Sequence, residues 1–189
     1  AIQPTLVVES DHQVAGAAIY WVDGLRDLGL ERSEGQAKAA AWLSLDHALE
    51  PADRNLAAQL STLIAFDYLI GNWDRWSGGN LKSDASGEHV ILRDHDAAFA
   101  ARLGEPLHRR MLERLVQAQR FSRSFYRALR SLTRQTFTRE LALDPAFGDK
   151  GPPLDPAALE ALFDRRETLI SHIAATIEER GETNVLAFP

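Results

Sequence analysis

The sequence of 189 residues contains no cysteine, one methionine and only three lysines, Lys38, Lys82 and Lys150. Without cysteine there is no disulfide framework, no thiolate nucleophile and no cysteine-ligated zinc. That composition suits a reducing compartment, and a cytoplasmic location is the expectation. No uninterrupted apolar run approaches the roughly 20 residues of a membrane-spanning helix. The first residues show neither the basic nor the apolar region of a secretory leader. The chain opens on Ala1 rather than Met and is read as trimmed. There is no G-x-S-x-G elbow, no Walker or dinucleotide loop, no H-x-x-x-H pair, no internal repeat and no low-complexity tract.

A hydrophobic content of 45% is that of an ordinary globular protein. The net charge of −6 is unevenly spread: residues 102–139 carry ten arginines and two glutamates, whereas both flanking regions are acidic. Arg120, Arg123, Arg127, Arg130 and Arg134 recur at helical spacing and are expected to share one stripe. Such a stripe either docks an acidic partner or is a solvated face paired with neighbouring carboxylates. Nucleic acid is not expected as the partner.

The pattern predicts an α+β protein, mainly helical. Residues 6–10 and 17–22 read as a hairpin turning at 11–13. A helix over 34–50 follows, with Ser33 and Gln36 as a capping box. Leu56, Leu60, Leu63, Ile64 and Asp67 then mark the buried face of a helix over 52–70. Asp67 on that face is read as a structural carboxylate hydrogen-bonded to loop backbone, because a buried charge needs a partner. Residues 81–82 and 89–92 read as a second hairpin, and 105–118, 122–143 and 156–181 as helices, with 147–153 as a Gly/Pro-rich loop.

The densest group of chemistry-bearing residues runs from 66 to 99. An apolar helix empties into Asn72-Trp73-Asp74-Arg75, Asn80 follows a Gly78-Gly79 pair, and an apolar strand delivers Asp94-His95-Asp96. One carboxylate after a helix, an amide oxygen, and a second carboxylate after a strand are the parts that phosphoryl transfer needs: a base for the hydroxyl and hard oxygen ligands for magnesium. Taken singly, each Asp or Asn also suits a turn. His89, Asp94, His95 and Asp96 alternatively contain the ligand types of a metal-dependent hydrolase.

Asp67-Tyr68-Leu69-Ile70-Gly71-Asn72-Trp73-Asp74-Arg75 resembles the catalytic segment of atypical protein-kinase-like enzymes. The likeness is to the four-jointed and Golgi casein kinase type and to bacterial relatives of the phosphatidylinositol 3- and 4-kinases, with HipA-type kinases as more distant kin. Ile91-Leu92-Arg93-Asp94-His95-Asp96-Ala97-Ala98-Phe99 resembles their metal-binding segment. The resemblance implies a kinase-like C-lobe over 31–189, preceded in 1–30 by the last N-lobe strands and a hinge that meets adenine at Trp21 and Val22. It further implies an ATP-dependent phosphotransferase acting on a hydroxyl of a protein, lipid headgroup or small molecule. Asp74 would be the catalytic base, Arg75 the brace of its loop, and Asp94 and Asn80 the ligands of magnesium or manganese. An acidic acceptor would dock on the arginine stripe.

Three departures stand out. Asn80 is one residue further from Asp74 than in the protein-kinase signature. Asp96 replaces a glycine common in the relatives. No Gly-rich loop or phosphate-binding lysine precedes the hinge, so a missing N-lobe segment is expected, with a non-catalytic pseudokinase module as the other reading.

Overall fold

The computed structural model describes residues 22–143 and 154–189, together with the backbone of Val8–Glu9 and His12–Gln13. The protein is α+β and mostly helical, and its helices pack around α2 (Arg54–Ile70). Ala57, Leu60, Leu63 and Ile64 give α2 its buried face, and towards its end Asp67, Tyr68, Leu69 and Ile70 are buried on every side. A helix apolar all round belongs inside a core. Pro51–Asp53 form a 3-10 turn ahead of it. Gly71, at φ +71°, ends it in the left-handed conformation that glycine adopts without penalty.

Against α2 lie α1 (Ser33–Leu43), α3 (Glu105–Gln117) and α6 (Pro156–Arg180). Asp155 caps α6 by accepting the Ala158 N–H at 2.7 Å, with Pro156 at its first position. Leu162, Arg165, Leu169, Ile173 and Thr176 form its buried stripe. A short α7 (Glu182–Val185) then leads into a tail that bridges Phe188 to Ser122, and Val185 and Phe188 close one end of the core. Fully buried leucines such as Leu60, Leu115 and Leu169 each contribute about 1.5–3 kcal/mol.

A three-stranded antiparallel sheet, ordered β3 (Arg26–Asp27), β4 (Leu81–Ser83), β5 (Val90–Leu92), sits beside α2. The β4–β5 turn is organised by Asp84, whose Oδ1 accepts the N–H groups of Gly87, Glu88 and His89. Gln59 of α2 reaches this hairpin, accepting the Val90 N–H at 2.8 Å and donating to the Glu88 carbonyl at 2.7 Å. No described helix is long and apolar enough to cross a membrane.

Several expectations change. Val8–Glu9 (β1) pairs with His12–Gln13 (β2), inside the stretch expected to turn; a closer pairing has a smaller loop-closure cost. Residues 17–21, including Trp21, and the 147–153 loop lie outside the described residues. Val22 is half-buried and outside any strand. Arg26–Asp27 add a strand that their polar sequence did not announce. Helix α1 stops at Leu43, and the capping box does not form: Ser33 is already helical, and Gln36 donates to the Glu31 carbonyl instead.

The expected 122–143 helix breaks into α4 (Arg123–Ser131) and α5 (Arg134–Leu143). Leu132 is extended, and Thr133 and Thr136 exchange hydrogen bonds that start α5. Arg166 donates to the carbonyls of Leu129 and Arg130, satisfying the last turn of α4. The break shortens the arginine stripe: Arg123, Arg127 and Arg130 stay together on α4 and line one cavity, whereas Arg120 and Arg134 leave it. Arg120 lies before α4, buried, donating to the Trp42 and His47 carbonyls. Arg123 pairs with Glu182, and Arg134 pairs with Glu160 at 2.7 Å.

Candidate active site

The chain leaves α2 through Gly71 and Asn72 and winds one 3-10 turn, Trp73–Trp76. That turn sends successive side chains in different directions: Arg75 is fully buried, whereas Asp74 stays partly open. Arg75 meets Asp67 in a two-pronged pair, Nε to Oδ2 at 2.9 Å and Nη2 to Oδ1 at 3.2 Å. Asn72 Nδ2 adds a third hydrogen bond to Asp67 at 3.2 Å. Burial pushes the Asp67 carboxyl above the usual aspartate range, and Arg75 and Asn72 oppose that rise. Its structural role is as expected, but its principal partner is a side chain rather than loop backbone.

Arg75 reaches further. Its Nη1 donates to the Arg93 carbonyl and its Nη2 to His95 Nε2 at 3.0 Å. A guanidinium only donates, so His95 accepts at Nε2 and carries its proton on Nδ1. Burial, and then the charge of Arg75, hold the His95 pKa below its ordinary value. Two other ties bind the same segment to the end of α2: the Phe99 N–H donates to the Ile70 carbonyl at 2.6 Å, and Arg165 of α6 bridges the Leu69 and Ala100 carbonyls. Arg165 packs so closely on Gly71 that a Cβ there would lie 3.0 Å from its Cζ. Arg75 touches no open surface. It belongs to the support of the site, and not to its reacting groups.

The open side carries Asp74, Asp94 and Asp96, and the buried Asn80 lies beneath Asp74. Asn80 Nδ2 donates to the Asp74 carbonyl at 3.2 Å and to Asp74 Oδ2 at 3.3 Å. That use of Nδ2 leaves Oδ1 as the amide's ligand atom. Gly78 and Gly79, at φ +118° and +85°, turn the loop between Asp74 and Asn80 in conformations that glycine adopts readily. The loop is pinned by Glu31, whose carboxylate accepts the N–H groups of Gly79, Asn80 and Leu81 at 3.0–3.1 Å. No spacing in the sequence marks Glu31, which is almost 50 residues away; only the folded chain brings it there.

Asp94 follows β5 in the left-handed region, φ +58°, an uncommon conformation for an aspartate. Its pKa is raised, chiefly by a hydrogen bond and charge repulsion from Asp96, with the charge of Asp74 adding to the rise. Asp94 and Asp96 are both exposed. The charges of Asp96 and Asp74 thus both reach Asp94, with Arg93 as the opposing cation. The carboxylates are hard oxygen donors with an excess of negative charge, the donor type that hydrated divalent cations take.

The histidines do not join this group. His89 Nδ1 lies 2.8 Å from Asp84 Oδ2, and His95 is engaged by Arg75. Among the described residues, no set of three or more His, Cys, Asp or Glu side chains is arranged to hold a metal ion. Neither protein-family models nor curated proteins give a match to this chain.

Proposed function

We propose that this chain is the C-lobe of a kinase-like phosphotransferase that moves the γ-phosphoryl group of ATP to a hydroxyl acceptor. The observation that carries this reading is that Asn80 donates to Asp74 while the charge of Asp74 reaches Asp94. They come from a turn after a helix, a glycine loop and a strand end; Asp94 is exposed, Asp74 partly open and Asn80 buried beneath it. Asp74, partly open and beside Asn80, orients the acceptor hydroxyl and takes its proton. Asp94 and Asn80 Oδ1 would hold magnesium. The bound ion supplies neutralisation of phosphate charge. Arg75 is a positioning residue: it fixes the Asp74 turn and the Asp94 segment to the same helix end. The α+β, mainly helical architecture is compatible with a kinase C-lobe. A hydrolase built on His89 and His95 has less support, because each is engaged with a different partner.

The test is magnesium-dependent ATP turnover by the full-length protein with Asp74→Asn and Asp94→Asn. Each substitution is expected to lower turnover roughly 100-fold or more. Undiminished turnover in both variants overturns the reading. Loss with Asp94→Asn alone points to the hydrolase.

A further inference from the structure

The 73–76 turn has a second neighbour. Between α1, α3 and Trp76 lies a cavity of about 240 Å³, lined by Gln36, Trp76, Arg110, Glu113, Arg114 and Gln117 among others. Arg110 and Arg114 are one helical turn apart on α3, so both point to the same side. The Arg114 guanidinium lies over the Trp76 ring, 4.7 Å from its centre. It is half-buried, yet among the described residues neither it nor Arg110 forms an ion pair or a hydrogen bond.

A cation withdrawn from water normally recovers its solvation from an anion or an acceptor. Stacking on Trp76 compensates part of the charge, but it leaves the in-plane N–H donors of Arg114 unused. Burial first, and then the charge of Arg110, lower the Arg114 pKa, and Glu113 opposes them. The contrast with Arg120, Arg134 and Arg166 is direct, since each of those spends its guanidinium on a carbonyl or a carboxylate. Arg114 and Trp76 also border a smaller cavity, about 20 Å³, against Asp67, Asn72 and Trp73. The cavity therefore abuts the turn that carries Asp74.

We propose that the cavity between α1, α3 and Trp76 is an oxyanion site, in which Arg110 and Arg114 hold a phosphate or carboxylate group of the acceptor substrate. The assignment of the anion to an acceptor rests on the phosphotransferase reading; the anion site itself does not. Planar guanidinium forks suit both oxyanions, and Gln117 brings an amide donor to the rim, whereas Gln36 has one N–H engaged by the Glu31 carbonyl. Glu113 sets an upper limit on affinity through like-charge repulsion. The site selects acceptors that carry an anion beside the reacting hydroxyl, two residues along the turn from Asp74.

The experiment is calorimetric titration of the full chain with sodium phosphate and, separately, with sodium acetate, at constant ionic strength. Saturable binding of at least one anion is expected. Arg114→Gln and Arg110→Gln should each weaken it roughly tenfold, the loss of one charge-assisted contact, and Glu113→Gln should tighten it. Arg110 is exposed, so its variant serves if Arg114→Gln fails to fold. Tighter phosphate binding assigns a phosphorylated acceptor, and tighter acetate binding a carboxylate one. No saturable binding, or binding indifferent to both arginines, overturns the site. If that happens while turnover still depends on Asp74 and Asp94, the anion site alone is lost. Arginine-dependent binding in a protein whose turnover ignores both aspartates keeps the site and overturns its role in acceptor selection.

Discussion

Two clusters of charge lie on either side of residues 93–96, and they are built on opposite principles. On the inner side, Asp67 and Arg75 are almost wholly buried, with both carboxylate oxygens and several guanidinium donors satisfied. On the outer side, Asp94, Asp96 and Asp74 repel one another at the surface, and Asp94 meets that repulsion by holding its proton more tightly. The inner cluster is complete without a ligand; the outer one has an excess of like charge that a cation would relieve. The difference separates what holds the backbone from what is left for chemistry.

The largest expected effect breaks the inner cluster. Arg75→Ala leaves Asp67 buried and unpaired and is expected to cost about 3–5 kcal/mol, read by urea denaturation. Adding Asp67→Ala should recover part of the loss, because it removes the stranded charge. A small loss in the single variant, under about 1 kcal/mol on the scale of exposed pairs, would mean that the inner pair is not the tie described here.

Asp94→Asn should behave in the reverse way. It removes repulsion from an exposed site, so stability should stay within about 0.5 kcal/mol or rise, while ATP turnover collapses. Stability lost together with turnover would assign Asp94 to the framework. Between these extremes, Gly71→Ala forces a side chain into the left-handed region and against Arg165. It should cost about 1–2 kcal/mol, measured by thermal denaturation. Arg165→Lys should soften the steric part of that cost.

The smallest effects are in pH, where His95 and Asp94 should titrate with opposite sign. The His95 pKa lies below its ordinary 6.5. The unfolded chain therefore binds the extra proton first, and stability is lost as pH falls through that value. His95→Gln should flatten this slope in melting curves. The Asp94 pKa lies above its ordinary 3.8, so the native state binds the extra proton, and stability declines as pH rises from 3.8 through the elevated value. Asp96→Asn should move the Asp94 carboxyl resonance back towards an ordinary titration in NMR. Parallel slopes for the two variants would remove the distinction.

Much of this was legible one element at a time. Helix α2 was readable from Leu60, Leu63 and Ile64, and its end from Gly71; α6 was readable from Asp155-Pro156 and Gly181. The order Asp74, Asn80, Asp94 was likewise readable, and Asn80 and Asp74 do meet. The 122–143 helix was misread because a continuous helical pattern does not reveal that Thr133 and Thr136 cap a new start, nor that Arg166, on another helix, closes the old one. The same break cut Arg134 off from an arginine stripe of which Arg123, Arg127 and Arg130 remain together.

By itself, the sequence determined the features set by near neighbours: where α2 and α6 run, which glycines and caps end them, and which aspartates stand at the ends of elements. These depend on backbone preference and on hydrogen bonds within a turn or two. Only the tertiary structure decided that Glu31 pins the Asn80 loop, that Arg165 clamps Leu69 to Ala100, and that Arg75 is buried and paired while Arg114 is left open beside Trp76. Identical side chains differ there because burial and partners come from surfaces distant in the chain, and desolvation, more than residue type, decides which charges are spent on the fold.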